Sequence, residues 1–409
     1  MEKLLIIDPH CAGHHSRYVL WIARAALERG YEVVVLTSKS CLAHEGYKDA
    51  ARELPGSVRF DACPYELEFA SGPPDVMALT GREFLYWRLF RNTYQAYAKG
   101  ESADLVCVPY LDYCVNAIAL LGSPFASTPW LGVTMRASFH HPAMGIRCPR
   151  AKLARVKEKL FLKLLAIPTL RRVLSIDEAL GKYVTAKTPA IAGKLKYLPD
   201  PVEMRRSMEK STARAALGIR RDATVVLSYG SIDARKGIDA LLCAVVESRL
   251  PENIHVLLAG APTGIGRKML DRLEPAHRLR DSGRLTVLDT YLNNDEEQLV
   301  FAASDMAWLG YRDHYTMSGV MVQAGSMGLP VIACREGLIG WSTMTYGLGI
   351  AVEIDDHSSV ASAILELYQK PDLAKWLGEN GRQRFEHHTV PAFGKVIFDD
   401  AEGALELPS

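Results

Sequence analysis

The chain has 409 residues, too many for one hydrophobic core and suited to two domains of ordinary size. Hydrophobic residues make up 48% and charged residues 23%, which excludes a disordered or fibrous chain. A net charge of +1 offers no global field toward nucleic acid or membrane, so any such attraction must be local. The cysteines, Cys11, Cys41, Cys63, Cys107, Cys114, Cys148, Cys243 and Cys334, form no C-x-x-C pair. They suit buried thiols of a reducing compartment better than a disulfide framework. The apolar opening Leu4–Ile7 is ended by Asp8, which is too short for a signal peptide. Polar residues and prolines interrupt the uncharged stretch between Asp112 and Arg136, so no spanning helix and a cytoplasmic location are expected.

From the N-terminus, Leu4–Ile7 reads as a buried strand and the polar residues Pro9–Ser16 as a loop. A helix from about Arg17 to Arg29 stops at Gly30, and Val33–Leu36 is the next strand. Val58–Phe60, Leu105–Val108, Trp130–Val133 and Val173–Ile176 continue the strand set, with helical segments between several of them. Tyr197-Leu-Pro-Asp-Pro-Val202 breaks the pattern and reads as an extended connector. The alternation then restarts: strand Thr224–Tyr229, helix from Gly237, strand His255–Ala259, helix Arg267–Leu273, strand Leu285–Leu288. Helix Asp295–Ala303, strand Met306–Leu309, helix Ser318–Met327, strand Pro330–Ala333 and two C-terminal helices complete it. Two successive doubly wound α/β domains follow, with ligands expected at the carboxyl ends of the strands and in a cleft between facing sheets.

Three stretches then carry a resemblance. Leu227-Ser-Tyr-Gly-Ser-Ile-Asp-Ala-Arg-Lys-Gly-Ile-Asp239 has a strand, a glycine and a Lys-Gly helix start. Asp295-Glu-Glu-Gln-Leu-Val-Phe-Ala-Ala-Ser-Asp305 leads into a strand ending at Leu309. Ser318-Gly-Val-Met-Val-Gln-Ala-Gly-Ser-Met-Gly-Leu-Pro-Val-Ile332 has a helix followed by Gly-x-Pro-Val. Together they resemble the retaining glycosyltransferase family 4 (glycosyl transferases group 1), over roughly residues 195–390. The resemblance implies a GT-B fold: residues 1–199 as an acceptor domain, 200–388 as a nucleotide-sugar donor domain, and 389–409 as a C-terminal helix packing back on the first. It also implies transfer of a sugar from a nucleotide-diphosphate sugar, UDP- or GDP-linked, to a hydroxyl acceptor such as a glycan, a lipid-linked glycan or a small molecule. Retention by front-side attack is expected, with no other cofactor, no metal and no nucleic acid.

The residue chemistry agrees with that likeness. A diphosphate needs cations and backbone N–H groups, and a helix N-terminus supplies the latter with its dipole. Lys236 and Arg235 are therefore expected to steady the leaving diphosphate, with Gly230, Ser231, Gly260, Ser318, Gly319 and Val320 lining the donor site. The family's Glu-x7-Glu falls on Tyr315 and Gln323; Gln323 keeps a carbonyl acceptor for the ribose, whereas Tyr315 cannot replace a carboxylate, leaving Asp313 and His314 as nearby substitutes. The family's arginine after the first glycine is Ser231, with Arg235 as its substitute. In the first half, Gly13 and His14 are expected at the cleft, and Arg136 and His140 after strand Trp130–Val133 as anion and sugar or acceptor contacts. The pair His10 and His14 lacks the carboxylate spacing of a metal site. Residues 147–172 are rich in Arg and Lys, with apolar Leu153, Val156, Leu160 and Leu164 at helical spacing, a pattern suited to anionic lipid as well as to an ordinary surface helix. Gly264-Ile-Gly266 is not a full dinucleotide fingerprint. Two other readings fit the same residues: a nucleotide-sugar epimerase or phosphorylase on this fold, and a noncatalytic sugar-nucleotide-binding partner subunit.

Overall fold

The computed structural model describes residues 1–11, 15–65, 76–149, 152–203, 208–248 and 250–399, and side chains throughout these except at 76–80. It contains two compact units. Unit 1 comprises Met1–Met144, Arg150–Pro201 and Val390–Ser409; unit 2 comprises Gly145–Pro149 and Val202–Thr389.

Unit 1 is built on seven strands: β1 (Lys3–Ile7), β2 (Glu32–Thr37), β3 (Arg59–Ala62), β4 (Leu105–Val108), β5 (Trp130–Thr134), β6 (Leu170–Ser175) and β7 (Leu195–Tyr197). All pair in parallel, in the order β3-β2-β1-β4-β5-β6-β7. Unit 2 has β8 (Thr224–Tyr229), β9 (Ile254–Ala259), β10 (Leu285–Leu288), β11 (Met306–Leu309), β12 (Val331–Cys334) and β13 (Gly349–Val352), again parallel, in the order β10-β9-β8-β11-β12-β13. Crossover helices bury both faces of a parallel sheet, so central strands such as Leu105–Val108 and Val331–Cys334 are apolar and buried along their whole length. In each sheet the winding direction reverses once, between β1 and β4 and between β8 and β11. A crevice opens at the carboxyl ends of the strands at such a reversal.

Several elements differ from the sequence reading. The third strand lies at Arg59–Ala62 rather than Val58–Phe60, where Phe60 pairs with Val35. The connector's first residue, Tyr197, ends a strand: Leu195–Tyr197 adds β7 to the sheet edge, and residues 198–202 lie beyond it. Helix Gly337–Thr345 and strand β13 were not expected. The basic helix runs Ala154–Leu165 with Phe161, Leu164 and Leu165 buried, while Leu153 and Val156 are exposed. Among the described residues, no helix is long and apolar enough to cross a membrane.

The last described helix, Val390–Phe398, belongs to unit 1. Phe393 is fully buried, with its ring 5.6 Å from Tyr18 and 5.9 Å from Trp21 of the helix His15–Leu27. Arg29 pairs with Asp399 at 2.8 Å, and Arg172 donates to the carbonyls of Val396 and Asp399.

Candidate functional site

In unit 2, the loops leaving β8 and β9 touch backbone to backbone. Gly260 has φ +144°, and a Cβ there would sit 2.3 Å from the Gly230 carbonyl oxygen, so only glycine fits. Gly230 has φ +91°, and a Cβ on it would lie 2.7 Å from Lys236 Nζ. The lysine is thus folded over the glycine, buried, with Nζ donating to the Tyr229 carbonyl. The short turn Ala234–Lys236 is pinned on two sides: Trp308 Nε1 donates to the Lys236 carbonyl at 2.8 Å, and Arg312 N to the Arg235 carbonyl at 2.7 Å.

Tyr311, just beyond β11, joins Lys236 to the helix Gly319–Ser326. Its ring centroid is 5.3 Å from Lys236 Nζ, and its hydroxyl accepts from Ser318 Oγ at 3.3 Å. Ser318 is the residue before that helix, and its carbonyl accepts from Met321 N and Val322 N. The N–H groups of Gly319 and Val320 come too early in the helix for an intrahelical acceptor. Lys236, Tyr311, Ser318 and those two amides therefore gather at the β8–β11 reversal, a cation beside a helix N-terminus. Arg235 is exposed and only loosely paired with Asp233 at 3.6 Å, and Ser231 is exposed.

Gln323, on the same helix, is buried, and its Nε2 donates to Glu297 Oε1. This orients the amide with Oε1 as its remaining acceptor. Glu297 belongs to the helix Asn294–Ala303, which is fixed by a capping box between Asn293 and Glu296. Tyr315 donates to Asp313 at 3.1 Å, and burial together with that carboxylate pushes its phenol up to about 12. Its carbonyl accepts from Leu338 N at 3.1 Å, and the neighbouring Gly337 N donates to the carbonyl of Arg147, in the segment Gly145–Pro149 of unit 2, at 2.8 Å. Arg147 also pairs with Glu353 at 2.6 Å.

Unit 1 carries a second polar cluster at the β1–β4 reversal. Asp8, at the end of β1, is buried and accepts from His15 Nδ1 at 2.9 Å, from Tyr47 Oη at 3.1 Å and from His10 N at 3.3 Å. A carboxylate at Nδ1 fixes the proton there, so in the neutral ring Nε2 is the acceptor that meets Tyr113 Oη at 3.4 Å. His15 stacks on Tyr110 with centroids 3.6 Å apart. Tyr86 Oη is hydrogen-bonded to His10 Nε2, and burial holds the His10 imidazole down to about 4 despite the pull of Asp8. Asp112, half-buried and with its carboxyl raised by desolvation, accepts from Thr134 Oγ1, Met135 N and Arg136 N. That pins the loop after β5 and sets the exposed Arg136 guanidinium 5.9 Å from the Tyr113 ring centroid.

The structure thus brings Gly230, Lys236, Ser318 and Gly319 together and places Arg136 at the unit 1 cluster. Gly13 and His14 lie outside the described residues. His140 requires correction: it is fully buried, hydrogen-bonded to Asp177 at 2.8 Å, and so turned away from any surface ligand. Its bulky apolar surroundings, Phe139 and Tyr183, explain the burial. Asp177 also caps the helix Glu178–Lys187; burial raises its carboxyl, but His140 and His141 outweigh that and hold it low. His140, His141 and Asp177 have metal-ligand spacing, yet neither ring's Nδ1 has a partner. A metal-bound histidine ordinarily donates that proton to a second group, so the three read as a buried pair and a helix cap. Sequence reasoning missed Tyr311, Glu297, Asp8, His15, Tyr86 and Tyr113. An acid directly ending a buried strand, as Asp8 does, was the one local signal available.

Comparison with known proteins places unit 2 first. Residues 223–370 match the family model described as Glycosyl transferases group 1. A D-inositol 3-phosphate glycosyltransferase of Rhodococcus jostii is 32% identical over 171 residues, covering 41% of this chain and 37% of the relative. Its counterpart in Mycolicibacterium gilvum is 29% identical over 220 residues, covering 49% and 46%. The chain therefore spans less than half the length of these relatives. Among solved structures, sucrose-phosphate synthase from Thermosynechococcus elongatus superposes with a TM-score of 0.66 at 18% identity, covering 96% of both chains. Anabaena HepE in complex with UDP gives 0.66 at 15% identity, covering 97% of this chain and 98% of that one. At such identities these structures establish the fold, which is GT-B.

Proposed function

We propose that this chain, a GT-B protein with a group 1 glycosyltransferase domain, transfers a sugar from a nucleotide-diphosphate sugar to a hydroxyl acceptor with retention. The observation that carries this is Tyr311 joining the Lys236 ammonium to the Ser318 end of the helix Gly319–Ser326 at the β8–β11 reversal. In the reaction, the bond between the sugar's anomeric carbon and the diphosphate breaks while a bond to the acceptor oxygen forms. The acceptor's proton leaves with the departing diphosphate. Negative charge grows on the leaving oxygens, and Lys236 Nζ, with Gly319 and Val320 N–H, stands where that charge would be met. Lys236 spends one donor on the Tyr229 carbonyl and keeps two for phosphate oxygens. Gln323 Oε1 would take ribose hydroxyls. UDP is the favoured leaving group because HepE, which shares the fold, is described in complexes with UDP and with UDP-glucose. Unit 1 would hold the acceptor.

The test is a transfer assay with UDP-glucose and other nucleotide sugars across a hydroxyl-acceptor panel. Lys236→Ala should lower turnover by about two orders of magnitude while folding is kept. Full rate in that variant would remove Lys236 from the mechanism. Tyr315 in place of a carboxylate favours one second reading, a nucleotide-sugar-binding subunit without turnover. Tight nucleotide binding with no transfer to any acceptor would identify it. Exposed Leu153 and Val156, beside exposed Lys152, Arg155, Lys157 and Lys159, support peripheral contact with anionic lipid. Co-sedimentation with phosphatidylglycerol vesicles, lost in Leu153→Ser/Val156→Ser, would be the signature.

A further inference from the structure

Two helices of unit 2, Ile238–Glu247 and His357–Gln369, pack into one hydrophobic core, the first through Leu241 and Val245 and the second through Val360 and Ile364. At the rim of that contact stand Cys243, Glu247 and His357. Cys243 and Glu247 are four residues apart and so share one face of their helix. His357 opens the second helix, which Asp356 caps by accepting from Ser358 N at 3.0 Å and Ser359 N at 3.3 Å. His357 Nδ1 donates to Glu247 Oε2 at 2.8 Å, and one ligand atom from each of the three residues lies within 4.8 Å of the other two. Ligands of a tetrahedral ion at about 2.0–2.3 Å are about 3.3–3.8 Å from one another. A small side-chain rotation closes that difference, and the proton between imidazole and carboxylate stands where a cation would be held. An ordinary ion pair accounts for His357 and Glu247, but not for a thiol beside them. Sulfur, imidazole nitrogen and carboxylate oxygen together are a donor set for a divalent ion of borderline softness, zinc above all, with water as the fourth ligand. The charges acting on the Cys243 thiol are the carboxylates of Glu247, Asp239 and Glu274, opposed by Arg312, which is itself paired with Asp239 and Asp355. The carboxyl-terminal turn of the first helix also favours a cation, and Asp356 offsets the amino-terminal end of the second. His357 and Glu247 are 35% and 57% exposed, so an ion can enter and water can take the imidazole's second N–H. The sealed group of His140, His141 and Asp177 offers neither.

We propose that Cys243, Glu247 and His357 bind a zinc ion that ties the helix Ile238–Glu247 to the helix His357–Gln369. Binding deprotonates the Cys243 thiol, and that proton leaves to solvent. The role is structural: the first helix runs from the Lys236 turn back toward the start of β9, so the ion lies away from the carboxyl ends of the strands, where the donor site is. His357 is 110 positions from Glu247, so no spacing in the chain announces the site.

The full chain, stripped of metal with a chelator, is titrated with cobalt(II) as an optical stand-in and then with zinc. Cobalt should give a thiolate-to-metal charge-transfer band with tetrahedral d–d bands, and zinc should bleach both. Cys243→Ser should lose the thiolate band, and His357→Gln should weaken zinc binding at least about tenfold. Zinc should raise the unit 2 transition of a calorimetric melt in the parent chain and not in Cys243→Ser. None of the three positions is buried, and the metal-free melt of each variant checks that it folds. The proposal is overturned if cobalt gives no thiolate band, if the band survives Cys243→Ser, if His357→Gln binds zinc as tightly as the parent, or if zinc leaves the unit 2 transition unmoved. Zinc is titrated without nucleotide, so each of these outcomes is independent of the donor assignment.

Discussion

At the residue scale, single positions decide how each unit holds its polar cluster. Gly260 is the sharpest case, because a methyl group there has no room beside the Gly230 carbonyl. Gly260→Ala should cost about 2–4 kcal/mol of unit 2 stability and remove nucleotide binding. Gly100→Ala, where an added Cβ meets nothing within 4 Å, should be nearly silent in the same denaturant titration. His10 gives a pH signature. Its folded imidazole is held down to about 4 by burial, against an ordinary value near 6.5. Between those values the unfolded chain takes up a proton that the folded chain refuses. The stability contribution is full above pH 6.5 and falls as the pH drops toward 4, by at most about 3 kcal/mol. His10→Gln should flatten unit 1 stability over that window; an unchanged slope would contradict it. Lys236 and Gly230 were legible because a Lys-Gly helix start after a strand and a glycine is a local pattern. His140 was misread because its partner, Asp177, lies 37 positions away. Nothing near His140 in the chain announces its burial.

At the scale of elements, the helix Asn294–Ala303 and the helix Gly319–Ser326 form a matched pair through Glu297 and Gln323. The sequence showed Gln323 where a relative would carry glutamate, but not that a carboxylate returns from the neighbouring helix. If the pair holds the ribose, Glu297→Ala and Gln323→Ala should each weaken UDP binding about threefold to tenfold, and the double variant scarcely further. Additive losses would mean that the two act separately. Most strands were legible because a parallel sheet buried on both faces needs short, wholly apolar runs. The exceptions share a cause. β7 is three residues next to a proline pair, and β13 begins at a glycine behind an apolar helix, so neither shows a period of its own. Helix Gly337–Thr345 is buried along most of its length and lacks the polar face that marks an amphipathic helix.

At the scale of the whole molecule, the chain leaves and rejoins each unit, so neither is a continuous stretch. The helix Val390–Phe398 completes unit 1, and Phe393→Ala should cost that unit about 3–5 kcal/mol through the cavity left between Tyr18 and Trp21. A two-transition calorimetric melt would show the loss in one transition only. The alternation of strands and helices made two doubly wound units legible. The return of Gly145–Pro149 to unit 2 was not, because it rests on the backbone bond from Gly337 N to Arg147 and on the pair Arg147–Glu353, both far apart in the chain. The claim on which the functional account turns is that the β8–β11 reversal grips a nucleoside diphosphate through the Lys236 ammonium and the amides of the helix Gly319–Ser326. Isothermal titration of UDP and GDP into the full chain and into Lys236→Ala measures it directly. Micromolar binding of one nucleotide, weakened about tenfold or more in the variant, is the expected result. No binding of either nucleotide, or equal affinity in the two proteins, would contradict it.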